Sequence, residues 1–450
     1  MEPFRHHIFV CMQEKPEGVT SCTSCGSGQT LDSLHRELAA QGLESDVQVT
    51  SCGCMGLCDD GPVMVVYPEG IWYRKVKAED IPEIVSSHLR SGKAVSRLVW
   101  NDAAAMKAAS TEHRERYLAM LRAKDAAGTL PDDLNEMARG FMSSRTLLTA
   151  LELNIFSVVG SGAKAEEVCK KITADLRATQ MLLNALVSLK LLEKRDETFF
   201  NTLASARFFA DGSRDNARPG LMHIAHLWNR WSALTDCVRS GTSVEVGERG
   251  DDQLRDFIAA MNYNAKERTS AVLKAVGTNG IRRMLDLGGG SGAYSIAFAR
   301  ALPQAESEIL DVAEVVPLTQ KYVREAGLAG RIKVRSGDML RDPLGGNYDL
   351  VLLLAICHMF SVEENRVLLR RTHDALAPGG RIVIQDFILE ADKTAPRFAA
   401  LFSLNMLVGT RAGSSYSEGE LAAWLKDAGF QGIQRVRLAG PAGLMIGVRP

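Results

Sequence analysis

The alternation of apolar and polar residues over residues 5–92 predicts a small α/β unit. Short apolar runs indicate strands, and stretches with apolar residues three and four positions apart indicate helices. The first predicted helix, TLDSLHRELAAQGL, has Thr30 or Asp32 as its expected N-cap. The other predicted elements are, in chain order, the strands HIFVCM, VQVTSC and VMVVYPEGIWY, the last turning at residues 68–70, and a closing helix, DIPEIVSSHL.

The pattern changes over residues 93–130, where alanine, lysine, arginine and glutamate dominate. This composition predicts a helical linker with a solvated face. Residues 131–275 have mostly helical spacing, and the long helical stretch ATQMLLNALVSLKLLEK leads into a predicted hairpin, EKRDETFFNT. Helices followed by a hairpin are typical of a winged-helix unit. Because the segment has no basic recognition face, we do not expect it to bind DNA.

Strands and helices alternate regularly over residues 276–450. This alternation predicts a parallel, doubly wound sheet, so the chain as a whole belongs to the α/β class. The predicted strands are RRMLDLGG, ESEILDVA, RIKVRSGD, YDLVLLLA and RIVIQDF.

The charge of the chain is nearly balanced, with 53 basic and 54 acidic side chains in 450 residues. This balance gives no reason to expect nucleic acid or an anionic membrane as a partner. The start, MEPFRHHIFV, lacks a charged segment followed by an apolar one, and the apolar run at 350–357 is too short to span a membrane. We therefore expect a soluble, cytoplasmic protein.

A glycine-rich turn follows the first predicted strand of the doubly wound sheet, in the stretch LDLGGGSGAYSIAFARAL. Gly288, Gly290 and Gly292 allow the backbone to turn sharply and to approach a ligand closely. A dinucleotide site is the competing interpretation, but Asp286, directly before the turn, is a poor neighbour for pyrophosphate. The same carboxylate suits a cationic methionine moiety. The turn therefore favours S-adenosylmethionine as the ligand.

Two further acidic residues lie at predicted strand ends, where ligands of such sheets bind. Asp311 ends the second strand, where its carboxylate can accept hydrogen bonds from both ribose hydroxyls. Asp338 ends the third strand, where it can meet the adenine amino group, and Met339 follows it. We therefore include all three residues in the predicted cofactor site.

Residues 131–450 resemble the dimeric small-molecule O-methyltransferases, which include plant phenolic and hydroxyindole methyltransferases. The resemblance implies a Rossmann-like methyltransferase domain over 276–450 and a winged-helix dimerisation domain over 131–275. It also implies a homodimer and a small-molecule methyl acceptor. The matching stretches are FMSSRTLLTALELNIF, LLNALVSLKLLEK, FFNTLASARFF, MLDLGGGSGAYSIAFARALP, KVRSGDML and ICHMFSVEENRVLLRRTHDALAPGGRIVIQDF.

His358 is the candidate general base, because it lies just beyond the fourth predicted strand and imidazole titrates near neutrality. The resemblance places the family's base on His358 and the acid that orients it on Asp386. The sequence departs from the family at Leu354, where a lysine is usual, and at Met359. It also has no acid at residues 414–416, where a second one is expected. A histidine without a catalytic role and C-methylation on the same scaffold remain alternatives.

Six of the nine cysteines fall within the first 58 residues, at positions 11, 22, 25, 52, 54 and 58. Without a secretory signal, metal ligands or redox groups are favoured over a disulfide framework. A zinc site would need two C-x2-C pairs, but Cys54 and Cys58 are separated by three residues. A radical S-adenosylmethionine motif would need a cysteine at 61, which is glycine. A redox pair of Cys22 and Cys25 remains open but leaves four thiols unexplained.

The stretches HIFVCMQEKPEG, SCTSCGSG, GCMGLC and GPVMVVYPEGIWY resemble the thioredoxin-like 2Fe–2S ferredoxins. The resemblance covers residues 5–92 and implies an electron-carrying cluster. It places the cluster ligands on Cys11, Cys22, Cys54 and Cys58, with Cys25 as a competitor for Cys22.

Methyl transfer itself needs no electron, so the reason for joining the two domains stays open at this point. One hypothesis is that the cluster reduces the acceptor before methylation, with an electron donor protein as a further partner. A second hypothesis is that the cluster regulates the enzyme as a redox sensor. A third hypothesis is an electron-transfer or binding protein with an idle methyltransferase fold.

Overall fold

A computed structural model of the protein describes residues 3–15, 19–245 and 251–450. The chain forms two compact units, Met1–Gly140 and Phe141–Pro450. Among the described residues, no helix combines the length and the apolar character needed to cross a bilayer.

The first unit is built on a four-stranded sheet with the order β2-β1-β3-β4. Strand β1 pairs in parallel with β2 and antiparallel with β3, and β4 extends the sheet antiparallel to β3. The strands are β1 (His6–Cys11), β2 (Val47–Cys52), β3 (Met64–Tyr67) and β4 (Ile71–Tyr73). The helices are α1 (Ser27–Gln41) and α2 (Ile81–Glu83), which continues as a π-helix over Ile84–Arg90.

Helix α1 covers the sheet, with Leu34 and Leu38 packed into the same core as Ile8 and Val10 of β1. The predicted N-cap was wrong, because the helix begins at Ser27 and Gly26 is its N-cap. Gly26 has a positive φ angle of 103° and supplies no capping side chain. Residue Thr30 lies inside the helix instead.

Two long helices follow this four-stranded sheet, α3 (Ala103–Ala126) and α4 (Asp132–Glu152). The Asp102 side chain caps α3 by accepting a hydrogen bond from the Ala105 amide at 2.9 Å. Helix α3 lies in the predicted linker, but its surface is not wholly solvated. Met106 and Ala109 pack against the buried core around Cys11 and Cys22.

The second unit contains the winged-helix segment, whose small sheet has the order β5-β7-β6. Its hairpin turns at Asp196, which has a positive φ angle of 53°, and this confirms the predicted hairpin. The long helix predicted before it ends at Ser188, and Leu192 already belongs to a strand. The elements are α5 (Ile155–Val159), β5 (Ala163–Lys164), α6 (Ala165–Ile172), α7 (Leu176–Ser188), β6 (Leu192–Arg195), β7 (Thr198–Asn201) and α8 (Leu203–Phe208).

Three helices connect this segment to a seven-stranded sheet with the order β10-β9-β8-β11-β12-β14-β13. Strands β8 to β12 are parallel, as predicted, and β14 is antiparallel to both of its neighbours. The carboxyl ends of β8 to β12 therefore meet at one edge of the sheet, where ligands of such folds bind.

The helices before this sheet are α9 (Arg218–Ser232), α10 (Leu234–Ser240) and α11 (Asp251–Val276). The strands are β8 (Arg283–Leu287), β9 (Glu306–Asp311), β10 (Ile332–Ser336), β11 (Tyr348–Leu354), β12 (Leu376–Asp386), β13 (Gln431–Arg437) and β14 (Gly443–Val448). The helices that cover it are α12 (Ala293–Ala301), α13 (Val316–Glu325), α14 (Val362–Ala375), α15 (Arg397–Gly409) and α16 (Glu418–Asp427).

Candidate functional site

Three glycines with positive φ angles shape the turn after β8, namely Gly288 at 69°, Gly290 at 56° and Gly292 at 73°. The Gly288 amide donates a hydrogen bond of 2.8 Å to the Leu310 carbonyl, which ties the turn to β9. A side chain at position 288 would overlap the side chain of Ile356. The backbone therefore runs where glycine alone fits without strain.

Two buried carboxylates flank the glycine turn. Asp286 accepts a hydrogen bond from the Ser295 hydroxyl at 2.7 Å, and burial, aided by the nearby Asp311 charge, raises its pKa to about 7. Asp311 accepts a hydrogen bond from the Gly290 amide at 2.8 Å, and burial raises its pKa as well. A cationic ligand at this turn would be stabilised by both ionised carboxylates.

Asp338 and Met339 lie beyond the end of β10, beside the same turn. The Gly337 amide donates to the Asp311 carbonyl at 2.9 Å, which joins this loop to β9. The Asp338 side chain is 46% exposed, and its carboxylate lies 3.5 Å from Nε of the exposed Arg341 side chain. The Met339 methyl group would lie 3.2 Å from a Cβ atom placed on Gly288. The structure thus gathers the predicted cofactor residues around one cradle.

His358 and Asp386 form a buried pair at the ends of β11 and β12. The Nδ1 atom of His358 lies 2.7 Å from Asp386 Oδ1, and the His358 backbone amide donates to Asp386 Oδ2 at 3.1 Å. Asp386 Oδ1 also accepts a hydrogen bond from the Phe387 amide at 2.8 Å. The carboxylate favours a proton on Nδ1 and leaves a lone pair on Nε2, so the imidazole is arranged to accept a proton.

Aromatic rings line the space next to His358. Phe402 meets the His358 ring edge to face, with 4.9 Å between the ring centroids, and the Phe387 ring lies nearly parallel to it at 6.4 Å. Phe398 packs against Phe387 with 4.8 Å between centroids. An apolar aromatic wall beside a proton-accepting imidazole suits a flat, conjugated ligand.

The positions where the sequence departs from the family pattern have structural roles. Leu354 is buried in the core of the sheet. The Tyr416 hydroxyl donates to the Phe360 carbonyl, and a Cβ atom on Gly413 would overlap the His358 carbonyl. The loop expected to carry a second acid, at residues 413–416, therefore packs against residues 358–360 through backbone and hydroxyl groups.

Four of the six clustered cysteines form a connected set of sulfur atoms in the first unit. The Cys22 side chain lies next to both Cys11 and Cys58, and the Cys54 and Cys58 sulfurs lie 3.4 Å apart. Cys11, Cys22 and Cys58 are buried, whereas Cys54 is exposed. Cys25 is exposed and lies outside these contacts.

The electrostatics of this set favour thiolates at two positions. The Cys22 thiol is the main cause that lowers the pKa of Cys11 to about 6 and the pKa of Cys58 to about 5. Burial raises the pKa of Cys54, so this thiol ionises less readily by itself. A Cβ atom on Gly61 would lie 3.0 Å from the Cys22 sulfur, so the glycine leaves room for that side chain. The donor set fits the four thiolates that a [2Fe–2S] cluster requires.

Comparison with known proteins identifies the family of each part of the chain. Residues 234–431 match the O-methyltransferase domain family, and residues 135–211 match the O-methyltransferase dimerisation domain. The chain is 31% identical over 334 residues to 3-hydroxy-5-methyl-1-naphthoate 3-O-methyltransferase of Streptomyces sahachiroi, covering 71% of this chain and 95% of that protein. The chain belongs to the O-methyltransferase family.

Solved structures support the same assignment for this O-methyltransferase. PigF with SAH has a TM-score of 0.67 and 27% identity, covering 71% of this chain and 99% of that one. Human N-acetylserotonin methyltransferase in complex with SAM has a TM-score of 0.64 and 27% identity, covering 70% of this chain and 96% of that one. The protein is an S-adenosylmethionine-dependent enzyme.

Residues 2–88 match the thioredoxin-like [2Fe–2S] ferredoxin family. The predicted fusion of a ferredoxin domain with an O-methyltransferase is thereby confirmed, and so are its two cofactors, S-adenosylmethionine and a [2Fe–2S] cluster. The dimerisation domain indicates a homodimer.

Substituting alanine for Gly288 is expected to weaken binding of S-adenosylhomocysteine about tenfold or more, because the overlap with Ile356 and the unfavourable φ angle would displace the turn that the ligand contacts. Isothermal titration calorimetry of the purified variant measures the change. Gly330→Ala is the matched control, because a Cβ atom there meets open space. Equal affinity in wild type and Gly288→Ala would contradict the assignment of the cradle.

Helix α4 of this O-methyltransferase exposes an apolar stripe, and we expect the homodimer to depend on it. Met137 is 71% exposed and Phe141 58% exposed. The substitution Phe141→Lys should convert dimers to monomers, because it puts a charge into a desolvated interface. Light scattering after gel filtration measures the mass. Val367→Lys, at an exposed apolar position of the methyltransferase domain, should remain dimeric. A dimeric Phe141→Lys variant would contradict this use of α4.

Several residues at the two sites were not expected from the sequence. Phe398 and Phe402 lie four residues apart on α15, which puts them on one face, and this spacing is a usable sign of an aromatic wall. Lys15 and His113 lie beside the cysteines but are 98 positions apart in sequence, so no local pattern joins them.

Proposed function

We propose that this O-methyltransferase transfers a methyl group to a hydroxyl group of a small aromatic or conjugated acceptor, with His358 as general base. The buried His358–Asp386 pair beside an aromatic wall is the observation that supports this most. The relatives point the same way, since their names specify a hydroxynaphthoate and N-acetylserotonin as acceptors.

The acceptor would stack on the phenylalanine wall with its hydroxyl directed at Nε2 of His358. The Asp386 carboxylate accepts two hydrogen bonds from His358, one from the ring and one from the backbone amide, so the base keeps its orientation. As the hydroxyl oxygen is methylated, its proton passes to Nε2 and the Asp386 carboxylate stabilises the resulting imidazolium. The phenylalanine rings exclude water from the reacting oxygen.

The cofactor would be held by the glycine cradle and its acids. S-adenosylmethionine supplies the methyl group as a sulfonium, which is the chemistry this chain lacks by itself. We assign the turn at Gly288, Gly290 and Gly292 to the methionine and ribose region, with Asp286 nearby. Asp311 would accept hydrogen bonds from the ribose hydroxyls, while Asp338 and Met339 would border the adenine.

A panel of matched acceptors tests this assignment. Hydroxylated naphthoates and indoles are incubated with S-adenosylmethionine carrying an isotopic methyl group, and each is paired with its methyl ether, which has no free hydroxyl. We expect label transfer to the hydroxylated member alone, and product NMR should place the label on oxygen. Label on carbon would favour the alternative, C-methylation on the same scaffold. Tight cofactor binding with no label transfer to any hydroxylated member would contradict hydroxynaphthoates and hydroxyindoles as the acceptor class.

The ferredoxin domain suggests a second component of the function, in which electrons prepare the acceptor. A quinone has no hydroxyl, and it becomes a hydroquinone by taking up two electrons and two protons. The cluster would pass one electron at a time from a donor protein to such an acceptor. Covalent attachment to the methyltransferase raises the effective concentration of the reductant.

A quinone and its hydroquinone, each offered with and without a reductant, test this component. Methylation of the hydroquinone should need no electron donor. Methylation starting from the quinone should need both a donor and an intact cluster, and should disappear in Cys54→Ser. If hydroquinone methylation itself changes with the oxidation state of the cluster, the domain is a redox sensor and electron delivery is contradicted.

A further inference from the structure

A lysine lies against the cysteine site, and the linker helix holds it there. The Lys15 ammonium group lies beside the Cys58 sulfur, and a ring nitrogen of His113 lies within 4.8 Å of the Cys54 and Cys58 sulfurs. The same ammonium group contacts Nε2 of His113 and lies 4.7 Å from the centroid of the Tyr117 ring. His113 and Tyr117 are four residues apart, so one face of α3 provides both contacts.

Further contacts fix α3 on the cysteine loops. His113 is buried, and its Nδ1 atom lies 3.5 Å from Asp59 Oδ2. Arg116 pairs with the same Asp59 carboxylate. A Cβ atom on Gly56 would overlap the Ser110 hydroxyl, so helix and loop are in close contact. The helix is therefore packed on the cysteine loops by polar and apolar groups together, and its position determines where the Lys15 charge lies.

Lys15 is the cation that lies next to the Cys58 sulfur, because the charge of Arg116 is paired with the Asp59 carboxylate. Lys15 and Arg116 are cationic, whereas Asp59 is the anion that faces them from the cysteine loop. Reduction adds one negative charge to a cluster that four thiolates already make anionic. A cation hydrogen-bonded to a ligand sulfur stabilises the reduced form more than the oxidised form, which raises the reduction potential.

We propose that Lys15, held in place by His113 and Tyr117 of helix α3, sets the reduction potential of the cluster. Lys15 acts as a charged hydrogen-bond donor to the sulfur of Cys58, and the two residues of α3 are positioning residues. The linker helix is thus part of the electron-transfer site as well as a spacer. The inference rests on the proposed four-cysteine ligand set and does not depend on the methyl acceptor.

The reduction potential of the full-length protein tests the proposal, measured by spectroelectrochemical titration under exclusion of oxygen. Lys15→Met should shift the midpoint potential to more negative values. Lys15→Arg should keep it closer to wild type, because the charge and a donor remain. Lys93→Met, at an exposed lysine of the same unit, should leave it unchanged. An unshifted potential in Lys15→Met with a fully loaded cluster would overturn the proposal.

A double-mutant cycle tests the role of the helix. His113→Leu should shift the potential in the same direction as Lys15→Met, and the combined variant should shift it no further than Lys15→Met alone. Additive shifts would show that His113 acts separately and would overturn its positioning role. Nitrogen hyperfine coupling in the reduced wild-type protein would indicate an imidazole bound directly to iron. That result would also overturn the positioning role of His113. Iron and sulfide content is measured on each variant. A variant without a cluster would bring the ligand set into question, whereas an unshifted potential in a fully loaded variant would contradict the role of Lys15.

Discussion

Replacing His358 with asparagine is expected to lower kcat for methyl transfer by about 10²- to 10⁴-fold, the usual contribution of a general base. No positioned group would then take the proton of the acceptor hydroxyl. Affinity for S-adenosylhomocysteine should hardly change, because the glycine cradle follows β8, whereas His358 follows β11. Steady-state kinetics with the acceptor found in the panel, together with calorimetry, separate the two effects.

A second histidine of the same domain provides the matched control. His373 also faces a carboxylate, with its Nδ1 atom 3.5 Å from Asp374 Oδ1, but it packs against Phe430 away from the aromatic wall. His373→Asn should therefore retain activity, whereas Asp386→Asn should lose most of it, because the amide no longer fixes the proton on Nδ1. Full activity in His358→Asn would contradict its role as the base.

Replacing Cys58 with serine is expected to remove nearly all of the cluster from the protein. The Cys58 sulfur contacts both Cys22 and Cys54, and its lowered pKa makes it the sulfur that is most readily available as a thiolate. Serine cannot provide a comparable ligand for iron. Visible absorption and iron content after oxygen-free purification measure the loss, which should be close to complete.

The exposed Cys25 is the matched control for this variant. Cys25→Ser should keep the cluster, because Cys25 lies outside the connected set of sulfurs. The Cys58→Ser variant should still bind S-adenosylhomocysteine, which shows that the methyltransferase domain remains folded. A colourless Cys25→Ser protein beside a coloured Cys22→Ser protein would contradict the proposed ligand set.

The order of elements followed from periodicity, but several boundaries did not. Helix α1 begins at Ser27 after a glycine in the left-handed region, so no side-chain cap marked its start. Helix α7 ends at Ser188, although apolar residues continue at helical spacing beyond it. There Leu192 pairs with Asn201 in the hairpin, and this long-range pairing outweighs the local helical preference.

The residues predicted to bind the cofactor lie close together because they come from the ends of parallel strands. Asp286, Asp311 and Asp338 belong to three neighbouring strands or the loops after them, and that topology alone gathers them at one edge. His358 and Asp386 meet for the same reason, as β11 and β12 are adjacent and parallel.

The surroundings of the cysteines were much less predictable. The charged residues of α3 gave the pattern of a solvated linker, yet its buried face is formed by a few residues such as Met106, Ala109 and His113. Because only a few apolar residues lie on that face of α3, the hydrophobic periodicity of this segment is weak. The packing of this helix on the cysteine loops is a tertiary contact, and no spacing along the chain encodes it.

The central claim is that one polypeptide holds a [2Fe–2S] cluster on four thiolates and an adenosyl sulfonium on a separate glycine cradle. The most direct measurement is iron and sulfide analysis of oxygen-free protein, combined with calorimetric titration of S-adenosylhomocysteine into the same sample. The account predicts iron and sulfide in equal amounts, each at two per chain, and one nucleoside site per chain. Protein without iron and sulfide, or a loaded cluster with no binding of the nucleoside, would contradict it.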